Sequence, residues 1–164
     1  MPYLIVSDIH GSAEGIRLVE RARDRLHAEG IISAGDQCPS FPSPLWSSLI
    51  SVRGNCDRFY EYMDMPFPPL YRTLRLYGRG ITVTHGDRMW IDDFTLQDGD
   101  IFVSGHTHVP SLSKEGGVYL VNPGSPSRPR SAEGPTAALL EEDRLSLLSL
   151  LDLTVISSLS LSAS

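Results

Sequence analysis

The amino-terminal segment reads YLIVSDIHG from Tyr3 to Gly11. Its uninterrupted apolar run is typical of a strand buried on both faces of a parallel sheet, and the run stops at a polar Ser-Asp pair. Residues 14–29 carry apolar side chains at helical spacing, and the glycine after them is a stop signal. A second apolar run, Ile31 to Ala34, ends at Gly35-Asp36. Strand, helix and strand in this order predict a βαβ unit with two parallel strands.

Shorter elements follow along the chain. The pattern predicts a helix at 45–50, a strand at 52–53, strands at 72–77 and 81–84 around a turn at 78–80, a strand at 101–104 and hairpins across 111–151. The front half is therefore α/β and the back half mostly antiparallel β. No linker or repeat interrupts the sequence, so we expect one domain over residues 1–164. Its tail, residues 156–164, is either a final strand or a frayed end.

The composition limits the classes of partner. The chain has 164 residues, of which 41% are hydrophobic and 21% charged, and its formal net charge is −6. An acidic chain without a basic stripe is not expected to bind nucleic-acid polymers or acidic membranes, although bound metal ions still allow a small anionic substrate. The start lacks the basic region of a signal peptide, and no stretch reaches the roughly 18 apolar residues of a membrane span. Since two cysteines build no disulfide framework, we expect a cytoplasmic protein.

Polar side chains follow five of the predicted strands at the point where each strand ends. In open α/β sheets, functional groups gather beyond the carboxyl ends of the strands. Side chains two residues apart in an extended chain face the same side, so we expect Asp8 to point with His10, and His106 with His108. The full set of strand-end residues consists of Asp8, His10, Asp36, Asn55, His85, His106 and His108.

This set suits a pair of metal ions better than a single ion. A tetrahedral zinc site takes four ligands, whereas two ions that share a bridging carboxylate take about this many, with water in the open positions. Each motif alone is weak, because Gly-Asp and Gly-Asn usually mark turns and a lone histidine is usually a surface or core residue. Their joint occurrence at successive strand ends indicates a metal site. Oxygen and nitrogen donors suit manganese, iron, zinc, nickel or cobalt without selecting one of them.

The order of these motifs resembles the calcineurin-like metallophosphoesterase superfamily. The matching motifs are Asp8-x-His10, Gly35-Asp36, Gly54-Asn55-x-Asp57, His85-Gly86 and Gly105-His106-x-His108. The short chain and its stretch Asn122-Pro123-Gly124-Ser125 resemble the small bacterial and archaeal phosphodiesterase subfamily. The resemblance implies an α/β fold built as a double β-sandwich flanked by helices, in α/β/β/α layers, with the site at one end.

The resemblance also implies two divalent metal ions, with manganese as the first choice and iron, zinc, nickel or cobalt as the others. One ion would take Asp8, His10, Asp36 and His108, and the other would take Asp36, Asn55, His85 and His106, so that Asp36 bridges them. The implied activity is hydrolysis of a small phosphodiester, including one derived from a nucleotide, by in-line attack of a metal-bridging hydroxide. Asp36 and Asn55 are then the catalytic residues, and the Asn55 amide is available to a phosphoryl oxygen.

One position departs from the family pattern. Many members place a histidine, which resembles a general acid, directly after the motif asparagine, but here that residue is Cys56. A thiol has a reference pKa of about 8.5 and is a poor proton donor to an alkoxide, so its catalytic role is doubtful. The substitution predicts better turnover of esters with acidic leaving groups. Cys38 is expected to be a buried thiol rather than the disulfide partner of Cys56.

Other residues leave alternatives open. Asp57 and Asp87 either orient ligands or cap turns. Four arginines near the motifs either meet the substrate or, as we expect, are solvated surface residues: Arg58, Arg88, Arg128 and Arg130. Some relatives keep this fold but serve as protein-interaction scaffolds with little catalysis, which is the alternative function. A homo-oligomer formed through the edges of the apolar back-half strands also remains open.

Overall fold

The structure, a computed structural model, describes residues 1–40 and 42–161. The strands are β1 (Tyr3–Val6), β2 (Gly30–Ser33), β3 (Leu49–Ser51), β4 (Tyr71–Leu76), β5 (Arg79–Thr84), β6 (Ile101–Val103), β7 (Ser111–Glu115), β8 (Val118–Asn122), β9 (Thr136–Leu140), β10 (Arg144–Ser149) and β11 (Val155–Ser160). The α-helices are α1 (Ala13–Leu26) and α2 (Leu45–Ser48), and single-turn 3-10 helices lie at Phe59–Tyr62 and Ile91–Asp93. No helix in this part of the chain is long and apolar enough to cross a membrane.

The strands form two mixed sheets. The first has the order β11-β10-β9-β1-β2-β3, in which β1, β2 and β3 are parallel and β9 runs antiparallel to β1. The second has the order β4-β5-β6-β8-β7, in which β5, β6 and β8 are parallel. The α/β fold class with two stacked sheets is therefore confirmed. The βαβ unit at the start of the chain supplies the centre of the first sheet.

The main core lies between the two sheets. Ile5 and Ile32 of the first sheet are completely buried with Val83 and Val103 of the second. Because side chains alternate along a strand, the neighbours of Ile5 point to the other face of the sheet. That outer face is also buried, which explains why β1 is apolar throughout.

Helix α1 covers the outer face of the first sheet. Its amino terminus is capped by Ser12, whose side chain accepts a 3.0 Å hydrogen bond from the Gly15 N–H. The predicted end at residue 29 is wrong by three residues, because His27 adopts a left-handed conformation with φ of 53° and closes the helix after Leu26. Gly30 is not the stop but the first residue of β2.

The second sheet is covered differently. The ring of Phe94 lies 6.1 Å from that of Phe102 and 5.3 Å from that of Tyr71. The fourth, helical layer is thus reduced, within the described ranges, to the single-turn helix Ile91–Asp93 and the irregular segment after it. The flanking helices of the sandwich are few, and the two α-helices both lie on the first sheet.

Some predicted boundaries are shifted. The third strand is Leu49–Ser51 rather than 52–53, so the short helix before it ends at Ser48. The turn between β4 and β5 is Tyr77-Gly78 rather than 78–80, because Leu76 pairs with Arg79. The tail forms the final strand β11, and residues 162–164 of the predicted tail lie outside the described residues.

Shortening Ile5 tests the core between the sheets. Since its side chain is fully buried, we expect Ile5→Ala to lower the free energy of unfolding by about 2–5 kcal/mol and Ile5→Val by about 0.5–1.5 kcal/mol. Urea denaturation measures both values. Ser158→Ala, on the exposed final strand, is the control and should stay within about 0.5 kcal/mol of the parent. An Ile5→Ala protein as stable as the control would contradict this description of the core.

Candidate metal centre

The seven predicted strand-end residues lie together at one end of the β-sandwich. They follow β1, β2, β3, β5 and β6, whose carboxyl ends meet there. Both sheets contribute, so residues up to 98 positions apart in the chain come within 3.2 Å of each other. The structure brings all seven side chains into one cluster, which consists of two groups that share Asp36.

The backbone reaches this arrangement in an unexpected way. The extended-chain argument for Asp8 with His10 is wrong, because β1 ends at Val6 and both residues are left-handed, with φ of 58° and 52°. His106 and His108 are also left-handed, with φ of 73° and 63°. Left-handed backbone is uncommon for residues other than glycine and clusters at functional sites. The side chains still converge, but through tight turns beyond the strands.

The first group consists of Asp8, His10 and His108. The His10 Nε2 lies 3.2 Å from the His108 Nε2, and the Asp8 Oδ1 lies 3.3 Å from the His108 Nε2 and 3.7 Å from the His10 Nε2. The His108 Nδ1 donates to the Arg128 carbonyl at 2.8 Å. That bond directs the lone pair of Nε2 toward the group, as in metal-ligating histidines.

The second group is centred on His85. Its Nδ1 donates to the Ala34 carbonyl at 2.7 Å, and its Nε2 lies 3.2 Å from the Asp36 Oδ2 and 3.0 Å from the Asn55 Oδ1. The His106 Nδ1 is 3.3 Å from the same Nε2. Four side chains of the predicted set, contributed by both sheets, therefore lie around the His85 Nε2.

Asp36 connects the two groups. Its Oδ2 lies 3.7 Å from the His10 Nε2 as well as 3.2 Å from the His85 Nε2. Its Oδ1 accepts a 2.8 Å hydrogen bond from the Cys56 N–H. A Cβ at Gly54 would collide with this carboxylate, so only glycine allows the third strand-end loop to approach so closely.

The carboxylates and imidazoles of the cluster shift each other's pKa values. Burial alone would raise the pKa of Asp36, but the hydrogen bond and charge of His85 outweigh it and lower the pKa to about 2. Burial would lower the pKa of His85, yet Asp36 and then Asp8 raise it to about 9. The carboxylates thus attract positive charge into the interior, where a divalent cation can replace the proton.

An orphaned buried atom supports binding of a cation. The Asp8 side chain is completely buried, and its Oδ2 accepts from the Ser7 hydroxyl at 2.6 Å and the His106 N–H at 3.0 Å. Its Oδ1 accepts no hydrogen bond from residues 1–40 or 42–161. A buried carboxylate oxygen is costly unless it is paired or coordinates a metal. Carboxylate oxygens and imidazole nitrogens lie within 4.8 Å of one another in two sets of three that share Asp8, one with His10 and His108 and the other with Asp36 and His85. This donor set fits such an ion.

The two cysteines are free thiols. Cys56 lines the site at the position expected of the family histidine, and burial, followed by the charge of Asp36, raises the pKa of its thiol. Burial also raises the pKa of Cys38, whose Sγ lies 3.4 Å from the Cys56 carbonyl oxygen. Neither thiol is activated as an acid, which agrees with the doubtful role assigned to Cys56.

Asp57 fastens the loops of the site, whereas Asp87 does not. The Asp57 Oδ2 accepts from the N–H groups of Asp36 and Gly54, both at 2.8 Å. Its Oδ1 accepts from the Cys38 N–H at 2.9 Å and the Tyr62 hydroxyl at 2.7 Å. Asp87 instead lies 3.5 Å from the exposed guanidinium of its neighbour Arg88.

Sequence reasoning missed the serines that hold the first loop. The hydroxyl of Ser125 donates to the Asp8 carbonyl at 2.7 Å, and that of Ser127 donates to the Ile9 carbonyl at 2.7 Å. Ser125 belongs to the Asn-Pro-Gly-Ser stretch, which the sequence marks only by its resemblance to a family motif. Its backbone-fastening role carries no periodic signal, because serines are common in loops.

The cluster opens to solvent through a cavity of about 440 Å³. Its walls combine candidate ligands from both groups with two cationic side chains from the loop after β8. The lining residues are His10, Asp36, Asn55, Cys56, His106, Thr107, His108, Arg128 and Arg130. A small ligand can therefore reach the candidate ligands directly.

Replacing Asp57 tests its positioning role. An amide at this position offers one acceptor where four donors converge, so we expect Asp57→Asn to lower the free energy of unfolding by about 1.5–3 kcal/mol. We also expect it to weaken Mn²⁺ binding by about 10–100-fold. Urea denaturation and titration calorimetry measure the two effects. Asp87→Asn is the matched control, and equal behaviour of the two variants would contradict the assigned role.

Comparison with known proteins identifies the family. A model of the calcineurin-like phosphoesterase superfamily domain matches residues 1–144. Phosphodiesterase YfcE of Escherichia coli strain K12 is 27% identical over 176 residues, which cover 95% of this chain and 96% of that protein. A probable metallophosphoesterase of Methanothermobacter thermautotrophicus is 30% identical over 149 residues, covering 85% of this chain and 84% of the other.

Solved structures agree with this comparison. The structure of YfcE, a phosphoesterase from E. coli, matches with a TM-score of 0.88 at 26% identity, over 99% of this chain and 100% of that one. Vps29 of Entamoeba histolytica, solved in complex with Zn²⁺, shares the fold with a TM-score of 0.67 at 20% identity, over 98% of this chain and 99% of that one. The family match spans most of the first sheet and all of the second, and it includes every candidate ligand. The chain belongs to the calcineurin-like phosphoesterase superfamily.

Proposed function

We propose that this protein is a metal-dependent phosphodiesterase with two divalent cations at the end of the sandwich. The observation that carries the proposal is the position of Asp36, whose carboxylate lies between the imidazoles of His10 and His85 at the base of an open cavity. A carboxylate in that position can bridge two ions. The similarity to the phosphodiesterase YfcE supports the same reaction class.

The proposed ligand sets follow the two groups of side chains. One ion is assigned to Asp8, His10, Asp36 and His108, and the other to Asp36, Asn55, His85 and His106. The orphaned Asp8 Oδ1 supports the first set, and the 3.0 Å approach of the Asn55 Oδ1 to the His85 Nε2 supports the second. Manganese is our first choice of metal, although the mixed oxygen and nitrogen donors also admit iron, zinc, nickel and cobalt.

The side chains then divide the work of hydrolysis. When bound, the two cations supply a water of lowered pKa and neutralise charge at the phosphoryl group, which suits in-line displacement. Asn55 turns its Oδ1 toward His85 and donates one amide hydrogen to the Cys56 Sγ at 3.6 Å. The second amide hydrogen is available to a phosphoryl oxygen. The carbonyls of Ala34 and Arg128 hold His85 and His108 in the orientation that presents Nε2 to the site.

The leaving group receives little help from this chain. Cys56 has a raised pKa and therefore parts with its proton less readily than a free thiol. We infer that the favoured substrates are small phosphodiesters with acidic leaving groups, nucleotide-derived ones included. The free thiols suit a reducing, cytoplasmic setting, and the core shared by the two sheets supports a single domain over the chain.

A second candidate is a protein-interaction scaffold of the same fold. The segment after Asp57 exposes the side chains of Phe59, Tyr60 and Met63, with 71–84% of each in solvent. Exposed apolar side chains this close together are unusual for a free surface and typical of a binding patch. The fold likeness to Vps29 is compatible with this candidate. We favour the enzyme, because a scaffold has no need for the convergent donors.

Removing proposed ligands separates the two candidates. We expect the Mn²⁺-loaded protein to hydrolyse bis(4-nitrophenyl) phosphate, and Asp36→Ala or His108→Ala to lower kcat/KM by at least about 100-fold, beyond the range of outer-ligand changes. His27→Ala, an exposed histidine at the end of α1, is the control and should keep the parent rate. Absence of turnover with Mn, Fe, Zn, Ni and Co would reject the enzyme in favour of the scaffold.

Restoring the family histidine tests the leaving-group argument. We expect Cys56→His to raise the hydrolysis rate of phosphodiesters with alkyl leaving groups by about 10²-fold or more, because an imidazole can protonate the departing alkoxide. The rate on nitrophenyl esters should change far less. Rates across a series of leaving-group pKa values give the comparison, with Cys56→Ser as a control that should keep the parent slope. If the histidine variant showed the same dependence of hydrolysis rate on leaving-group pKa as the parent, the leaving-group argument would be wrong.

A further inference from the structure

Two arginines line the metal cavity without a known task. Arg128 and Arg130 follow β8 and are both exposed at the rim beside His108. Three arginines elsewhere in the described ranges, Arg17, Arg23 and Arg88, have a carboxylate partner. Across residues 1–40 and 42–161, neither Arg128 nor Arg130 has a carboxylate within 4.0 Å. Two exposed arginines without a carboxylate partner in the described ranges therefore line the cavity of a chain whose net charge is −6.

The backbone that carries them is fastened to the site. The Arg128 N–H donates to the Ser125 hydroxyl at 2.9 Å, and that hydroxyl donates to the Asp8 carbonyl at 2.7 Å. The Arg128 carbonyl accepts from the His108 Nδ1, and the Arg130 N–H donates to the His108 carbonyl at 3.2 Å. These bonds hold the backbone of both arginines in place relative to the proposed metal ligands, so both side chains start from a fixed point at the rim.

A simple phosphodiester does not account for both arginines. It carries a single negative charge, which the two proposed cations can neutralise without further help. Guanidinium groups bind phosphate and carboxylate through paired hydrogen bonds and are typical of sites that recognise such groups. The cationic rim therefore matches additional negative charge on the same ligand.

We propose that Arg128 and Arg130 bind a second anionic group, a phosphate, phosphonate or carboxylate, attached close to the scissile phosphodiester. This inference rests on the proposed function and names its substrate class. The pocket would thus prefer phosphodiesters whose second ester group carries a negative charge over phosphodiesters whose second ester group is neutral, when the leaving group is the same. Such a subsite acts mainly on KM, because it holds a part of the substrate that does not react.

Two matched substrates test the inference. Ethyl 4-nitrophenyl phosphate has a neutral arm, and 2-phosphonoethyl 4-nitrophenyl phosphate has an anionic arm with the same leaving group. We expect the Mn²⁺-loaded parent protein to prefer the anionic arm in kcat/KM by about tenfold, a modest value for partly solvated ion pairs. The preference should shrink as the salt concentration rises, because the attraction is screened.

Variants assign the preference to the arginines. Arg128→Gln with Arg130→Gln should bring the ratio of the two kcat/KM values close to one, whereas Arg128→Lys with Arg130→Lys keeps the charges and should retain part of it. Arg25→Gln, an exposed arginine on α1, should keep the full ratio. A parent that hydrolyses both esters equally well, or a glutamine double variant that keeps the preference, would overturn the inference alone. Failure of the parent to hydrolyse either ester would instead overturn the proposed function.

Discussion

The burial of two carboxylates at one end of the sandwich is the constraint on which the site depends. Asp8 and Asp36 are 0% and 2% exposed. Removing a carboxylate from water costs several kcal/mol unless charges and hydrogen bonds compensate. Asp36 is compensated by His85 and by the Cys56 N–H, and Asp8 is satisfied at Oδ2 but not at Oδ1. The Asp8 Oδ1 lies where imidazoles from both sheets converge, and a bound cation would compensate its charge.

The surrounding loops are shaped by the same demand. Each carboxylate is in close contact with a glycine of a neighbouring loop. A Cβ at Gly54 would clash with Asp36, and a Cβ at Gly105 would clash with Asp8. Backbone N–H groups then reach the carboxylates directly, as the His106 N–H reaches Asp8. The strained backbone of the ligand loops is held by Asp57 on one side and Ser125 on the other. The left-handed backbone of these loops costs stability, and it holds the candidate metal ligands in fixed positions.

The sequence was sufficient for the main features and insufficient for their details. Strand-end placement of polar residues and the βαβ pattern predicted that Asp8 and Asp36 lie at the same edge of one sheet, because parallel strands bring their carboxyl ends together. The approach of His85 from the second sheet was implied only by the family resemblance. Alternation along an extended chain did not explain Asp8 with His10, since left-handed turns are not visible in a hydrophobic pattern. The tasks of Ser125 and Asp57 depend on contacts between segments far apart in the chain, which no local signal encodes.

Two cations bridged by Asp36 can be observed by anomalous diffraction from crystals of the manganese-loaded protein, collected on both sides of the manganese absorption edge. We expect two anomalous peaks about 3.5–4 Å apart, one on each side of the Asp36 carboxylate. A single peak, or peaks located away from Asp8 and His85, would show that these side chains do not form a two-metal centre.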